Sequence, residues 1–238
     1  MNKTVDIVGV MSGTSLDGLD IVYTRFFVNQ SSSGSVENPP GRNERSYSFE
    51  VVKAYTIEYP KELEEGLRDC RELSNDQLIK LHHNWARFTA EQIRSKFISK
   101  GLKPDYIASH GHTVFHEPEK GITLQIGSLP VLALNTNCTV IGDFRSLDVF
   151  KGGEGAPLVP IGDALLFQDY AYRLNLGGIA NVSFEDDKGI TKAFDVCPCN
   201  LLLNLYANKL GAKYDAGGSM AAKGNLDEEL LRELNNLH

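Results

Sequence analysis

Residues 4–28 read TVDIVGVMSGTSLDGLDIVYTRFFV, and residues 171–184 read AYRLNLGGIANVSF. Each is a β-rich run, a short glycine-containing turn and a second β-rich run, which is the pattern of a hairpin. In the first, Thr4–Val10 and Leu19–Val28 flank SGTSLDG; in the second, Ala171–Leu176 and Ile179–Phe184 flank a Gly-Gly turn. A third strand follows in both. Tyr47–Glu58 comes after a stretch of turn formers, 29–46, whose one apolar residue is Val36, and Ile190–Asp195 comes after EDDKG. A helical stretch is then opened by Pro60 in one copy and by Pro198, running to Leu210, in the other. Three hairpin-linked strands and a helix thus occur twice, a repeat of element order rather than of sequence.

The first copy continues outward from that unit. The helix opened by Pro60 covers KELEEGLRDCREL. Ser74 with Gln77 three residues on is a capping-box signature, and Leu78, Leu81, Trp85 and Phe88 then form one apolar stripe of a helix. Gly101 is its expected stop, and His82 and His83 are expected as exposed helix residues. Tyr106–Ser109 reads as a short strand ending at His110. Ile122–Ile126 is another strand, Ser128–Asn135 a short helix and Cys138–Ile141 a strand, running into the glycine-rich loop GDFRSLDVFKGGEGAP at 142–157. Three meandering strands followed by alternating helix and strand predict an α/β fold with a mixed sheet and helices on its faces. The second copy offers only one further helix, Leu226–Leu237. The expected organisation is a first lobe at 1–165 and the start of a second, incomplete lobe at 166–238.

Composition limits the function. The 238 residues are 42% hydrophobic and 23% charged, which is ordinary for a globular chain. A net charge of −7 disfavours general nucleic-acid binding, while backbone amides can still hold a small anion. Four cysteines are too few for a disulfide scaffold, and Cys197 and Cys199 are not spaced as a CxxC. No window has the apolar length of a spanning helix, and the N-terminus does not read as a signal peptide. A cytoplasmic protein with reduced thiols and no membrane partner is expected.

Four constellations could carry chemistry. MSGTSLDGLD at 11–20 supplies glycines for close approach, hydroxyls from Thr14 and Ser15, and consecutive amides that suit an anion. It is no Walker loop, lacking GK[ST]. Asp17 and Asp20 suit a Mg²⁺ ion that keeps its waters. NLGGIAN at 175–181 is the matching turn of the second copy, and two such turns in paired lobes are expected to face one cleft that closes on a nucleotide. SHGHTVFH at 109–116 is unattractive as a zinc site and reads better as a polar substrate-contacting loop. In GDFRSLDVFKGGEGAP, Asp143 sits where an apolar strand ends and could take a proton from a hydroxyl or water. Arg145, two residues on and on the same side if the strand continues, could steady anionic oxygens; a local salt bridge is the alternative.

Together these segments resemble the anhydro-N-acetylmuramic acid kinases. The matching stretches are GVMSGTSLDGLD at 9–20, SHGHTVFH at 109–116, TLQIG at 123–127, GDFRSLDV at 142–149, GGEGAPLVP at 152–160, LNLGGIANVS at 174–183 and YDAGGSMAAKG at 214–224. The resemblance implies ribonuclease-H-like lobes of the actin, hexokinase and Hsp70-like superfamily. It also implies an ATP-dependent reaction of cell-wall recycling and amino-sugar catabolism. Water adds to the anomeric carbon of 1,6-anhydro-N-acetylmuramate, and the released O6 receives the γ-phosphoryl group, giving N-acetylmuramate 6-phosphate and ADP. By this resemblance Asp143 is the base. Gly13, Thr14, Ser15, Asp17, Gly18 and Asp20, with Gly177, Gly178 and Asn181, hold ATP phosphates. Asp17 and Asp20 hold Mg²⁺ through water, and His112, Arg145, Glu154 and Asp195 contact substrate.

The sequence departs from the family at several points. Position 112 is His where many members have Gln, and position 154 is Glu where Gln is common. The stretch 195–200 is DVCPCN where the pattern is usually DTGPGN. The adenosine-binding segment of the second lobe is expected beyond these residues, which leaves open whether this chain is active by itself. A sugar kinase without ring opening and a non-catalytic binding member of the superfamily are the alternatives, and a homodimer is left open.

Overall fold

The computed structural model describes residues 3–13, 18–30, 45–156 and 158–236. The chain forms two compact units, Met1–Tyr170 and Ala171–His238.

The first unit begins with a meander: β1 (Lys3–Ser12), β2 (Leu19–Gln30) and β3 (Arg45–Ile57), paired antiparallel. Alternation decides which face is buried, since successive side chains of a strand point to opposite sides. Val8, Val10 and Ser12 of β1 are buried, as are Leu19, Ile21 and Tyr23 of β2. Farther along the same face Asp6 pairs with Arg25 across the ladder at 2.8 Å and accepts a hydrogen bond from the Tyr23 hydroxyl at 2.9 Å. That bonding to Arg25 holds the Asp6 carboxyl below its ordinary range, while burial and the neighbouring Asp6 push Tyr23 up to about 12.

Two helices follow, α1 (Lys61–Arg68) and α2 (Asn75–Lys96). The capping box at Ser74 and Gln77 is formed. Trp85, Ala86, Ala90 and Ile93 of α2 are buried in one core with the sheet, joined by Leu67 of α1 and by Phe97. The first helix is shorter than its sequence suggests, ending at Arg68 in a turn through Leu73. The second stops at Lys96. A 3₁₀ turn, Ile98–Lys100, then intervenes, and it is this turn that Gly101 closes at φ 87°. His82 and His83 are a further correction: both are half-buried, not exposed.

The central strand is β4 (Tyr106–Glu117), parallel to β1. The stretch 109–116 is therefore strand and not loop. Along one edge β4 takes two partners in turn: residues 106–109 pair parallel with β6 (Thr139–Gly142), and residues 112–117 pair antiparallel with β5 (Ile122–Ile126). The exchange occurs at Gly111, where φ is 74° and a Cβ would lie 2.5 Å from the Ile126 carbonyl oxygen. A glycine irregularity of this kind bends a strand without ending it. Between β5 and β6 runs α3 (Leu129–Thr136), capped by Ser128, whose Oγ accepts from the Val131 amide. The sheet order is β3-β2-β1-β4-β5, with β6 also on β4.

After β6 the expected glycine-rich loop contains a short helix, α4 (Ser146–Phe150), and a helix absent from the sequence reading follows, α5 (Leu158–Leu166). The second unit is a three-stranded antiparallel sheet, β7 (Tyr172–Leu176), β8 (Ile179–Glu185) and β9 (Thr191–Pro198). It is followed by α6 (Asn200–Lys209) and α7 (Glu228–Asn235). Both helices start later than their sequence suggests, because β9 runs on to Pro198 and Asp227 caps α7 through the amides of Glu229 and Leu230.

Candidate active site

Because β1, β4 and β6 are mutually parallel neighbours, their carboxyl ends lie on one edge of the sheet. Open α/β sheets bind ligands at that edge. Gly13 follows β1 there and Asp143 follows β6. The rest of the first turn is only partly described: Thr14, Ser15 and Asp17 lie outside the described residues. Gly18 closes the turn with φ 152°, and a Cβ on it would come 2.8 Å from the Ile57 carbonyl oxygen. Asp20 is exposed on β2, opposite Met11, and accepts a hydrogen bond from the Thr56 hydroxyl at 2.6 Å.

Asp143 stands at φ 56°, a left-handed conformation uncommon outside glycine. The left-handed turn ends the strand, so Arg145 does not continue β6 as the sequence suggested. It lies in the turn that leads into α4. The Asp143 carboxylate is exposed and accepts from Ser146 Oγ at 2.5 Å. Behind it, Gly142 packs so tightly that a Cβ would meet Leu129 Cδ2 at 2.6 Å and the Ser109 carbonyl oxygen at 2.8 Å. The base candidate is thus an accessible carboxylate on a fixed backbone.

Arg145 makes no salt bridge within the described residues. Its Nε donates to His110 Nε2 at 2.9 Å and its Nη1 to the Gly155 carbonyl at 2.6 Å. Gly155 in turn donates its amide to Asp148 Oδ2 at 2.7 Å. Partial burial lowers the Arg145 pKa from its ordinary value. Glu154, next to this clamp, is exposed.

His112 is placed differently from a surface contact. It is 3% exposed, and its Nδ1 lies 2.9 Å from Ser12 Oγ. The same Oγ accepts from the Tyr59 hydroxyl at 2.7 Å, and Trp85 Nε1 reaches the Tyr59 oxygen at 3.4 Å. The ring also bonds to the Leu67 backbone carbonyl. A carbonyl only accepts, so the second ring nitrogen carries the proton, Nδ1 is the acceptor, and Ser12 donates to it. Burial pushes the His112 pKa down and keeps this neutral form. Both ring nitrogens are therefore engaged inside the protein, next to the residue where the first turn begins.

His82 is a site neighbour that sequence reasoning missed. Its Nδ1 accepts from the Gly127 amide at 3.0 Å, and its carbonyl accepts from Ser128. Gly127, at φ 129°, lies flat on Trp85, where a Cβ would come within 2.7 Å of the indole ring. The TLQIG motif so ends in a turn fixed from α2. No local signal in the sequence marks this contact.

In the second unit, Gly177 and Gly178 form the β7–β8 turn. Their carbonyls accept from the amides of Cys199, Asn200 and Leu201, and Asn200 Nδ2 donates to the Leu176 carbonyl at 3.1 Å. Those bonds occupy the first amides of α6. In planar trans peptides the N–H points opposite to the C=O, so the amides of Gly178 and Ile179 face away from α6. Asn181 is half-buried and pairs in register with Asp195, which is exposed on β9. Cys197 and Cys199 are free thiols at the end of β9 and at the cap of α6. Among the described residues no cluster of three His, Cys, Asp or Glu side chains could hold a metal ion, and no helix is long and apolar enough to cross a membrane.

Comparison with known proteins gives the family of the chain. The family model for anhydro-N-acetylmuramic acid kinase matches residues 5–238. The chain is 36% identical over 250 residues to the anhydro-N-acetylmuramic acid kinase of Clostridioides difficile (strain 630), and 37% identical over 237 residues to that of Pseudomonas putida. Both alignments cover 95% of this chain and 60% of the relative. That of Neisseria meningitidis serogroup C is 35% identical over 244 residues, covering 98% of this chain and 62% of the relative. The chain thus spans about 60% of the length of the curated relatives it matches. A mixed sheet flanked by helices agrees with an actin-like ATPase fold, and the chain belongs to the anhydro-N-acetylmuramic acid kinase family.

Proposed function

We propose that the protein carrying this chain is an ATP-dependent kinase that opens the 1,6-anhydro ring of anhydro-N-acetylmuramic acid and phosphorylates O6. The observation that carries the reading is the exposed Asp143 carboxylate, held at the same sheet edge as the turn that starts at Gly13. In this reading Asp143 removes a proton from the water that attacks the anomeric carbon. The anhydro C–O bond breaks, and the freed O6 attacks the γ-phosphorus as ADP leaves. Phosphoryl transfer depends mainly on positioning and charge stabilisation, which amide-rich turns and one guanidinium can supply.

Roles follow for the other residues. Gly13 and Gly18, with Thr14, Ser15 and Asp17, cradle phosphate in the first unit, and Gly177, Gly178 and Asn181 offer a phosphate turn in the second. Arg145, which pairs with no carboxylate among the described residues, faces anionic oxygens of the substrate; Glu154 and Asp195 are exposed groups available to the sugar. His112 is too enclosed for direct contact and acts by fixing Ser12. A Mg²⁺ ion fits as one held largely by phosphates and waters, because Asp20 has one oxygen taken by Thr56 and belongs to no cluster of three metal-ligating side chains among the described residues. Asp17 and Asp20 would hold it, and it would neutralise phosphate charge.

The test is turnover of the full-length protein with anhydro-N-acetylmuramic acid and ATP, with the sugar phosphate identified by mass. Asp143→Asn should keep the fold and substrate binding and lower turnover by roughly 10²–10⁴-fold, the range for loss of a general base. Normal turnover in that variant removes Asp143 from the chemistry. Binding of the sugar with no ATP consumption points instead to a binding member of the family.

A further inference from the structure

We propose that His110 is a positioning residue, a neutral imidazole that latches the Asp143–Gly155 segment onto β4 by accepting the hydrogen bond from Arg145. The proposal deepens the kinase reading and rests on it only for its activity readout.

The protonation state of His110 follows from its partners. Its Nδ1 lies 3.0 Å from the Gly111 carbonyl oxygen, and its Nε2 lies 2.9 Å from Arg145 Nε. A carbonyl cannot donate, so Nδ1 carries the proton. A guanidinium cannot accept, so Nε2 offers its lone pair. The neutral Nδ1–H form is the one arrangement that satisfies both contacts. It is the opposite tautomer to that of His112, two residues along the same strand.

From His110 the bonding runs outward through the segment after β6. Arg145 donates onward to Gly155, and Gly155 to Asp148, so residues 145–155 close on themselves and are hydrogen-bonded to β4 through Arg145. Gly155 is needed there: its φ is 66°, and a Cβ would meet Val149 at 2.7 Å and His116 at 3.1 Å. Asp143 stands two residues before Arg145, with its carboxylate bonded to Ser146. Gly142 holds the Asp143 backbone on β6, so freeing Arg145 from His110 would act on the rest of the segment, loosening the start of α4 whose Ser146 hydroxyl bonds the Asp143 carboxylate.

The latch is intrinsically sensitive to acid. A second proton on His110 would set an N–H against the Arg145 N–H and place two positive charges 2.9 Å apart. The charged and titratable groups acting on the ring are Arg145 from the segment after β6, and His116 and His112 from β4. No carboxylate among the described residues bonds to it. Burial first, with Arg145 and His116 adding, holds its pKa below the ordinary value, against a smaller opposing effect of the Gly111 carbonyl. The latch is therefore closed at neutral pH and opens in acid.

The experiment compares full-length wild type with His110→Gln, which keeps an acceptor that does not titrate, and His110→Leu, which has none. Hydrogen exchange of residues 143–155 is followed at pH 7.5 and 5.5, after correction for intrinsic rates, together with imidazole nitrogen NMR and the pH profile of kcat. The neutral Nδ1–H tautomer is expected for His110. Wild type should lose protection of 143–155 at pH 5.5, His110→Gln should keep it at both pH values, and His110→Leu should lack it at both. The acid limb of kcat should flatten in His110→Gln, and kcat should fall by about 10²-fold in His110→Leu, as for a misplaced reacting group. If His110→Leu does not fold, the contrast between wild type and His110→Gln decides. The Nε2–H tautomer, or equal pH response of exchange in wild type and His110→Gln, overturns the latch. Exchange and NMR need no turnover. A latch that behaves as expected in a protein without phosphorylated product therefore leaves the latch standing and removes only the kinase reading.

Discussion

At the scale of single residues, His112 shows how a side chain can matter near a site without touching substrate. The ring accepts from Ser12 and donates to the Leu67 carbonyl, with both partners in the core. A glutamine amide has the same two functions, an oxygen that accepts and a nitrogen that donates. The same two bonds can be made by His or by Gln at this position. His112→Gln should therefore change stability by less than about 1 kcal/mol, while His112→Leu should cost about 1–3 kcal/mol for each buried group left unpaired. Urea denaturation of the two variants checks this; a Gln variant as damaged as the Leu variant would show that the ring is held by shape and not by its bonds. The residue was legible as special from its motif, but its enclosure was not, because Ser12 is 100 positions away in the chain.

Among the elements, β4 and α2 carry three imidazoles with a shared property. Burial is the leading cause that pushes His82, His110 and His112 below the ordinary value of 6.5. Folding therefore resists protonation of groups that the unfolded chain protonates readily. Stability is complete above pH 6.5 and falls as pH drops below it, until each native pKa is reached, by up to about 1.4 kcal/mol per pH unit for each group. Asp6 adds a second loss at lower pH, since its native pKa lies below the ordinary 3.8 and its contribution disappears as that pKa is crossed. Denaturation midpoints at pH 7.5, 6.5 and 5.5 should decline in that order, and a flat series would contradict the burial of these rings. The same strand shows why 109–116 looks like a loop in sequence: Gly111 interrupts the alternation, yet β1 pairs with β4 on both sides of it, while β6 pairs before it and β5 after it.

At the scale of the whole molecule the two units differ in how much they bury. In the first, Trp85, Tyr23, Phe97 and several aliphatic side chains are fully enclosed. In the second, the buried residues among those described are Ala180, Ser183 and Ala207, while Leu174, Phe194, Val196 and Leu203 are more than half exposed. Burial of apolar area is the main favourable contribution to folding, so local opening should be far easier in the second unit. In the 238-residue chain, amides of β1, β2 and β4 should exchange at least roughly 10²-fold more slowly than those of β7 and β9. Equal protection would mean that the second unit is stabilised by something other than its own core.

The sequence alone determined what depends on near neighbours. The β-rich runs around a short glycine turn set β1 and β2 to within two residues at each end, the capping box set the start of α2, and the apolar stripe through Leu81 and Trp85 set its buried face. The order of the elements was enough for the mixed sheet, and the motifs were enough for the family. Tertiary structure decided what depends on distant partners. Arg145 and His110 are 35 positions apart, and His82 and Gly127 are 45 apart. Neither contact leaves a periodicity or spacing to read. Hydrogen bonds between buried polar groups are specified by where the sheet brings strands together, and strand pairing is a property of the folded chain.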